Sequence, residues 1–595
     1  MNAIDQRLER LRQFMRDQHL DACIIPTTDP HQSEYPPEHF RLRAWISGFH
    51  GSAGTLVVTA DHAGLWTDAR YFLEAEEALS ETPFVLHRSG LPGSREVPEW
   101  LAAELESGAR VGADPRNMAV STWRDLTSAL TARKVTLVPA VRLADAVWPD
   151  RPALPEEPVW VLPERSAGVS AEEKLQRVRT QLRDRGAASH IISTLDDIAW
   201  LFNLRGSDVA YNPIFLGFLY LTAERSVLFT NEARLTSDAR TALRRYRVEL
   251  QPYDAFDAVL ESAEGPVLLD PERSSWMVHE QLSRQGRVIE ALQPSTAIKA
   301  RKNATELSNL REAMIRDGRA MVRFLHWLDR EMAAGASHTE VEAAERLTRL
   351  RAEDPAYLSD SFGTISGWAA NGAIIHYSAQ PETAATLGPR GIYLLDSGGQ
   401  YLDGTTDITR SVAVGAPTDE EREDFTLVLK GHIALARLQF PAGTSGRQID
   451  AIARQPLWER QRQYSHGTGH GVGYVLNVHE GPQRIAPRAD ATALEPGMVL
   501  SNEPGLYREG RYGIRIENLV AVQPAGGTEF GEFLSFETLT LCPLDRRLID
   551  PGLLSAEERA WLNDYHARVR AALAPGLEEA ELRWLEAATA PIAAE

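Results

Sequence analysis

The side chains with the most chemical potential lie in the last third of the chain. Asp396 ends the apolar run Gly391-Ile-Tyr-Leu-Leu-Asp396, and Asp407 sits among the strand-forming Thr, Ile and Val residues of Tyr401–Val414. Acids are depleted inside strands, so Asp407 calls for a partner. His466, His470 and His479 fall within fourteen residues and are interleaved with four glycines, which let backbone and ligand approach closely. Glu503 closes Met498-Val-Leu-Ser-Asn-Glu503 just before Pro504-Gly505. In Gly513-Ile-Arg-Ile-Glu-Asn-Leu-Val520, alternation puts Arg515, Glu517 and Leu519 on one face. An Arg515–Glu517 ion pair would account for that segment by itself. Four carboxylates together are another matter. Asp396, Asp407, Glu503 and Glu517 carry four negative charges, and close carboxylates repel unless a proton or cation neutralises them. With His470 they make a five-ligand set that two divalent cations would balance. Its oxygen-rich character favours Mn²⁺ or a similar ion over structural zinc. Two such ions about 3.5–4 Å apart can share a bridging hydroxide and polarise a carbonyl, which is the equipment of a dinuclear hydrolase.

These residues need strands and turns to bring them together. A hairpin turning at Gly398-Gly399 would set Asp396 and Asp407 on neighbouring strands. Upstream, Leu307, Leu310, Met314, Met321, Phe324, Leu325 and Leu328 mark one face of a long helix beginning at Thr305. Downstream, Glu557–Ala572 and Leu577–Ala588 read as helices.

The first half carries an internal duplication. Leu11–Asp29 and Val178–Asp196 share, at one offset of 167, an Arg-Asp pair, an Ile-Ile strand centre, a Thr and a final Asp. Ala44–Ser52 resembles Ala199–Ser207, and Leu65–Asp68 resembles Leu228–Asn231. Two related α/β domains, residues 1–155 and 165–298, follow from three ordered matches. A proline-rich linker is expected over Trp148–Ser170.

Composition narrows the class. The 595 residues include 63 Lys and Arg against 83 Asp and Glu, a net charge of −20, which disfavours nucleic acid and anionic membranes as partners. The cysteines are two, Cys23 and Cys542, too few for a disulfide framework or a thiolate zinc site. Ile4, Leu8, Leu11 and Met15 give the N-terminal segment an amphipathic helix rather than a signal core, and the longest apolar run, Ile214–Ala223, is short for a membrane helix. The P-loop, the Gly-x-Ser-x-Gly elbow and His-Glu-x-x-His are missing.

At Asn371-Gly-Ala-Ile-Ile-His-Tyr377 and His466-Gly-Thr-Gly-His-Gly-Val-Gly473 the chain resembles the pita-bread metallopeptidases, and among them the three-domain cytosolic Xaa-Pro aminopeptidases. The likeness extends to Asp29–Tyr35, Ser47–Thr55, Trp66–Phe72, Leu195–Asp208 and Trp561–Tyr565, while Trp584–Glu595 matches no motif. It implies an α/β (α+β) architecture of two creatinase-type domains, a catalytic domain over 299–541 and a helical extension over 542–595. It implies two divalent ions, most simply Mn²⁺, on Asp396, Asp407, His470, Glu503 and Glu517, with Asp407 and Glu517 bridging. His376, His466 and His479 would hold the scissile peptide and stabilise the tetrahedral intermediate, and Glu503 would shuttle a proton. Arg70 and Arg515 would join the substrate-binding groups, Arg515 from behind the ligands. The implied reaction is attack of a metal-bridging hydroxide on an N-terminal Xaa-Pro amide, in a cytoplasmic homodimer acting on peptides. A prolidase shares the metal site but usually lacks the duplicated half. A non-catalytic pita-bread peptide-binding module would have lost ligands, and all five stand here.

Overall fold

The computed structural model describes residues 3–286, 288–489 and 491–593. The chain divides into two compact units, Met1–Leu162 with Val169–Ala297, and Pro163–Gly168 with Ile298–Glu595.

The first unit makes the duplication visible as topology. One six-stranded sheet runs Val85–Arg88, Ala63–Thr67, Thr55–Thr59, Ala22–Pro26, Arg110–Ala113, Thr136–Pro139. The other runs Val248–Gln251, Ser226–Phe229, Phe218–Thr222, Ser189–Ile192, Val267–Leu269, Val288–Glu290. Neighbour by neighbour, both sheets pair parallel, antiparallel, antiparallel, parallel, parallel. The equivalent strands begin at Ala22 and Ser189, which is the offset of 167 seen in the sequence. Each follows an amphipathic helix, Ala3–Asp17 or Ala171–Asp184, whose apolar stripe is buried. Cys23 is fully buried in its strand.

The expected linker is partly built into the fold. Trp160–Val161 pairs antiparallel with Leu204–Arg205. Glu164–Ala167 forms a short helix whose Ser166 and Ala167 carbonyls accept from Asn309 and Asn303. Prolines restrict the backbone, but the remaining polar groups still need partners, and here they find them.

In the second unit the long helix spans Ala304–Ala333, opened by a reciprocal Asn303–Glu306 capping box. Leu310, Met314, Met321, Phe324, Leu325 and Leu328 are buried on it, whereas Leu307 is half-buried. Two sheets carry the acids and imidazole. In a three-stranded sheet, Gly391–Ser397 lies between Ile365–Trp368 and Ile408–Val414. A six-stranded sheet runs Gln439–Pro441, Gly531–Thr538, Asn518–Thr528, Val499–Asn502, Gly469–Gly471, Glu480–Ile485. The C-terminal helices Ala556–Leu573 and Glu579–Ala588 bury Leu562, Tyr565, Val569 and Leu585 in a core shared with Phe425, Ile433 and Ile514.

The hairpin between Asp396 and Asp407 differs from expectation. The chain does not reverse at Gly398-Gly399. It runs on through Gly399–Tyr401 and turns at Leu402–Asp403 into Gly404–Thr405. The pair is glycine because of crowding: a Cβ on Gly398 would overlap the Thr406 carbonyl and Ser361 Oγ. Gly398→Ala is therefore expected to destabilise the protein by about 1–3 kcal/mol through overpacking, and to weaken divalent-cation binding by spreading the two acid-bearing strands. Thermal melts and a cation titration would show both losses; an unchanged melting temperature would remove the crowding argument.

Candidate metal centre

Each acid is set by a backbone register. Asp396 pairs with Thr409 across the antiparallel ladder, and Asp407 comes one residue before the strand that carries Thr409. Asp407 thus sits at the strand's mouth rather than inside it. Glu503 follows Val499–Asn502, with its N–H on the Thr468 carbonyl at 2.8 Å. Glu517 lies in the break between Tyr512–Arg515 and Asn518–Thr528, its N–H on Thr409 O at 3.2 Å and its carbonyl accepting from Arg410 Nη1 at 2.7 Å. His470 sits between Gly469 and Gly471, where any Cβ would strike the Ser501 and Glu480 carbonyls. The glycines therefore let three backbone segments approach around the imidazole.

The structure brings several of these side chains together. Asp407, His470 and Glu517 each offer a ligand atom, all within 4.8 Å of one another. His470 Nε2 is 3.5 Å from both Asp407 Oδ2 and Glu503 Oε1. Its Nδ1 lies 3.0 Å from the Gly471 carbonyl, which can only accept, so Nδ1 donates there and Nε2 is the nitrogen that faces the acids. Asp396 and Glu517 are each held by one oxygen and left open at the other. Arg515 Nη2 donates to Asp396 Oδ2 at 2.5 Å and Thr409 Oγ1 to Glu517 Oε2 at 2.7 Å. Asp396 Oδ1 and Glu517 Oε1 are buried with no hydrogen-bond partner among the described residues. Ser501 Oγ donates to Glu503 Oε1 at 3.1 Å while accepting the His470 N–H at 2.9 Å.

Arg515 does not pair with Glu517, as alternation suggested. The strand breaks between them, and Arg515 turns to Asp396, to Tyr507 Oη at 2.7 Å and to Thr409 Oγ1 at 3.2 Å. One guanidinium against four carboxylates leaves the cluster strongly negative. Burial, then the charges of Glu517, Asp396 and Glu503, push Asp407 well above the usual carboxylate range. Burial, then Asp396 and Glu503, do the same to Glu517. For Glu503, burial and the Asp396 charge outweigh the nearby Arg515 and push its carboxyl up to about 7. Orphaned acceptor oxygens, an imidazole nitrogen aimed at the acids and carboxyls that resist ionisation are what a divalent-cation site shows without its ions. The donor set fits.

The other predicted residues are placed as follows. His479 meets the His470 ring edge-on, with centroids 4.3 Å apart. His466 Nδ1 donates to the Gly467 carbonyl at 2.7 Å, so its Nε2 accepts from Tyr507 Oη at 2.9 Å. Burial raises the Tyr507 phenol to about 12, so it remains a donor at neutral pH, and Arg515, Tyr507 and His466 form one chain. His376 sits in the loop after the short helix Ala369–Ala373. Arg70 belongs to the first unit, where its Nε and Nη2 grip Asp68 at 2.9 and 2.8 Å. Sequence reasoning missed Ser501, Thr409 and Tyr507, each a neighbour in sequence of a residue it chose. It also missed Arg410, fully buried and bonded to Glu517 O, Asn518 Oδ1 and Tyr565 Oη.

Residues 7–147 and again 150–306 match the creatinase/prolidase N-terminal domain, 308–524 match metallopeptidase family M24, and 532–592 match the C-terminal region of that peptidase. A probable Xaa-Pro aminopeptidase P of Aspergillus flavus is 42% identical over 607 residues, covering 99% of this chain and 92% of the relative. The chain belongs to metallopeptidase family M24. Aminopeptidase P2 of Arabidopsis thaliana is 40% identical over 99% of this chain and 89% of its own. The crystal structure of an X-prolyl aminopeptidase from Caenorhabditis elegans, described as a cytosolic enzyme with a di-nuclear active site, superposes with a TM-score of 0.95 at 34% identity over 100% of both chains. The M24 assignment also takes in most of the tail, since the C-terminal match reaches residue 592.

The raised carboxyls make a signed prediction for the metal-free protein. Glu503 moves from an ordinary 4.5 to about 7 on folding, so its protonated form favours the fold. That contribution is full below about 4.5 and is lost as pH rises through about 7. Cations replace the proton. The gap in melting temperature between cation-loaded and chelator-stripped protein should therefore widen from pH 5 to pH 8. A gap independent of pH would contradict it.

Proposed function

We propose that this chain is an Xaa-Pro aminopeptidase that removes the N-terminal residue from peptides with proline in second position. The observation that carries the reading is the cluster of Asp407, His470 and Glu517, with Glu503 beside it and open oxygens on Asp396 and Glu517, in a chain that matches aminopeptidase P relatives over nearly its whole length. Asp396, Asp407, His470, Glu503 and Glu517 would hold two divalent cations. When bound, the cations supply a nucleophilic water at neutral pH and polarise the scissile carbonyl. Mn²⁺ is the proposed ion, supported by four carboxylates and one imidazole and by the lack of thiolates. We further read residues 1–155, 165–298, 299–541 and 542–595 as the domains, and the protein as a cytoplasmic homodimer. Among the described residues no helix is long and apolar enough to cross a membrane.

The protein's own groups do the rest. An Xaa-Pro amide has no N–H, so recognition must use the ring's shape and the carbonyl. His376 and His479 donate to the carbonyl oxygen as it gains charge. His466, fixed between Tyr507 and the Gly467 carbonyl, keeps the same wall rigid. Glu503, hydrogen-bonded by Ser501, is placed to pass a proton to the leaving proline nitrogen, which must be protonated to depart.

The test is release of the first residue from Xaa-Pro-Xaa tripeptides by EDTA-stripped protein restored with Mn²⁺. Tripeptide cleavage that needs the cation is expected, with Asp407→Asn at least about 10³-fold slower. Cleavage confined to Xaa-Pro dipeptides would make it a prolidase, and peptide binding without turnover would leave a binding module.

A further inference from the structure

Glu340 is a buried carboxylate of the second unit that no motif marks. Glu340 opens the helix Glu340–Arg351 and is completely buried, yet no ion pair to it is found among the described residues. Its charge is met by donors instead. Oε1 accepts the Trp368 N–H at 2.6 Å and Asn371 Nδ2 at 3.0 Å. Oε2 accepts Tyr377 Oη at 2.8 Å, the Ala385 N–H at 2.8 Å and Asn371 Nδ2 at 3.2 Å. The Glu340 backbone adds a bond in each direction, its N–H to Ala385 O at 3.0 Å and its carbonyl to Ser366 Oγ at 2.6 Å.

All four donors lie between residues 368 and 385, and they bracket His376 on both sides. Asn371 and Tyr377 are the two ends of the Asn371–Tyr377 segment, and Tyr377 is the next residue after His376. The segment's other flank is fixed by close backbone contact, since a Cβ on Gly513 would overlap the Gly372 carbonyl. Gly513 belongs to the strand Tyr512–Arg515, whose last residue holds Asp396. A loop would ordinarily be among the more mobile parts of a domain. Here one ionised side chain gathers it from four points, and charge-assisted hydrogen bonds are roughly twice as strong as neutral ones.

We propose that Glu340 is a positioning residue for the peptidase reaction: it clamps the 368–385 loop so that the His376 imidazole is held ready for the scissile carbonyl. The proposal rests on the role given to His376 under the aminopeptidase reading. Glu340 itself touches no substrate. The chemistry of the clamp requires an acceptor at both oxygens. A glutamine would turn an amide N–H₂ toward donors: Tyr377 can rotate to accept, but the Trp368 and Ala385 N–H groups cannot. A 1 Å displacement of a positioned group can cost about 10²-fold in rate, so a loosened loop should be readable in turnover.

The experiment is a double-mutant cycle on tripeptide hydrolysis by the cation-loaded full chain, with bound cation quantified for every variant. His376→Ala alone is expected to lower kcat by about 10²-fold. Glu340→Gln is expected to keep two cations per chain and lose at least about tenfold in kcat, but less than about twofold further in the His376→Ala background, because the two act through one group. Tyr377→Phe removes a single donor and should show the same pattern at smaller size, which keeps the test open if Glu340→Gln folds poorly. Equal fold-losses in both backgrounds would overturn the clamp and make Glu340 a purely structural residue. Unchanged turnover in His376→Ala would instead overturn the role of His376, and the clamp with it.

Discussion

The second unit is organised around an electrostatic conflict. Four carboxylates, three of them nearly fully buried, converge on one imidazole with one guanidinium for compensation. Left alone they repel, and folding answers by raising the proton affinity of Asp407, Glu503 and Glu517. Protons relieve the repulsion only as the pH falls. Two divalent cations would relieve it at neutral pH and use the same oxygens that the fold leaves open. Strain kept in a site at the expense of stability elsewhere is a common mark of function.

Much of the surrounding structure serves to keep those charges from relaxing. The glycines flanking His470 bring three backbones within contact, and Gly398 does the same beneath Asp396. Thr409, Ser501 and Arg515 each fix one carboxylate oxygen, and the second oxygens of Asp396 and Glu517 stay without a partner among the described residues. Arg410 ties the Glu517 carbonyl to Tyr565 on a C-terminal helix, which gives that extension a mechanical link to a ligand. Lys299 and Lys302 both close on buried Glu480, the residue after His479. Most of these devices link positions far apart in the chain, so the site's geometry depends on much of the unit being folded.

What could be read from the sequence follows the range of the forces involved. The repeated sheet was legible because helix, strand and turn patterns are local, and the offset of 167 carried over to the strand starts. The acids and imidazole were legible because polar groups at strand ends among glycines are costly without a purpose. The turn at Leu402–Asp403 was misplaced because glycine pairs signal turns as well as close packing, and here packing decided. The Arg515–Glu517 pair that alternation allowed does not form because the strand breaks before Glu517, and Arg515 backs Asp396 instead. Thr409, Ser501, Tyr507 and Glu340 carry no local signal: threonine, serine and tyrosine are ordinary strand residues, and a glutamate at a helix start is ordinary capping. Only the tertiary contacts distinguish them.

Under the proposed function, these five side chains hold a pair of cations. Crystals of the full chain grown with Mn²⁺ and measured at the manganese absorption edge test it directly. Two anomalous peaks about 3.5–4 Å apart are expected, together contacting Asp396, Asp407, His470, Glu503 and Glu517, with Asp407 and Glu517 reaching both. A cluster that stays free of manganese, with its carboxylates protonated or paired among themselves, would contradict it.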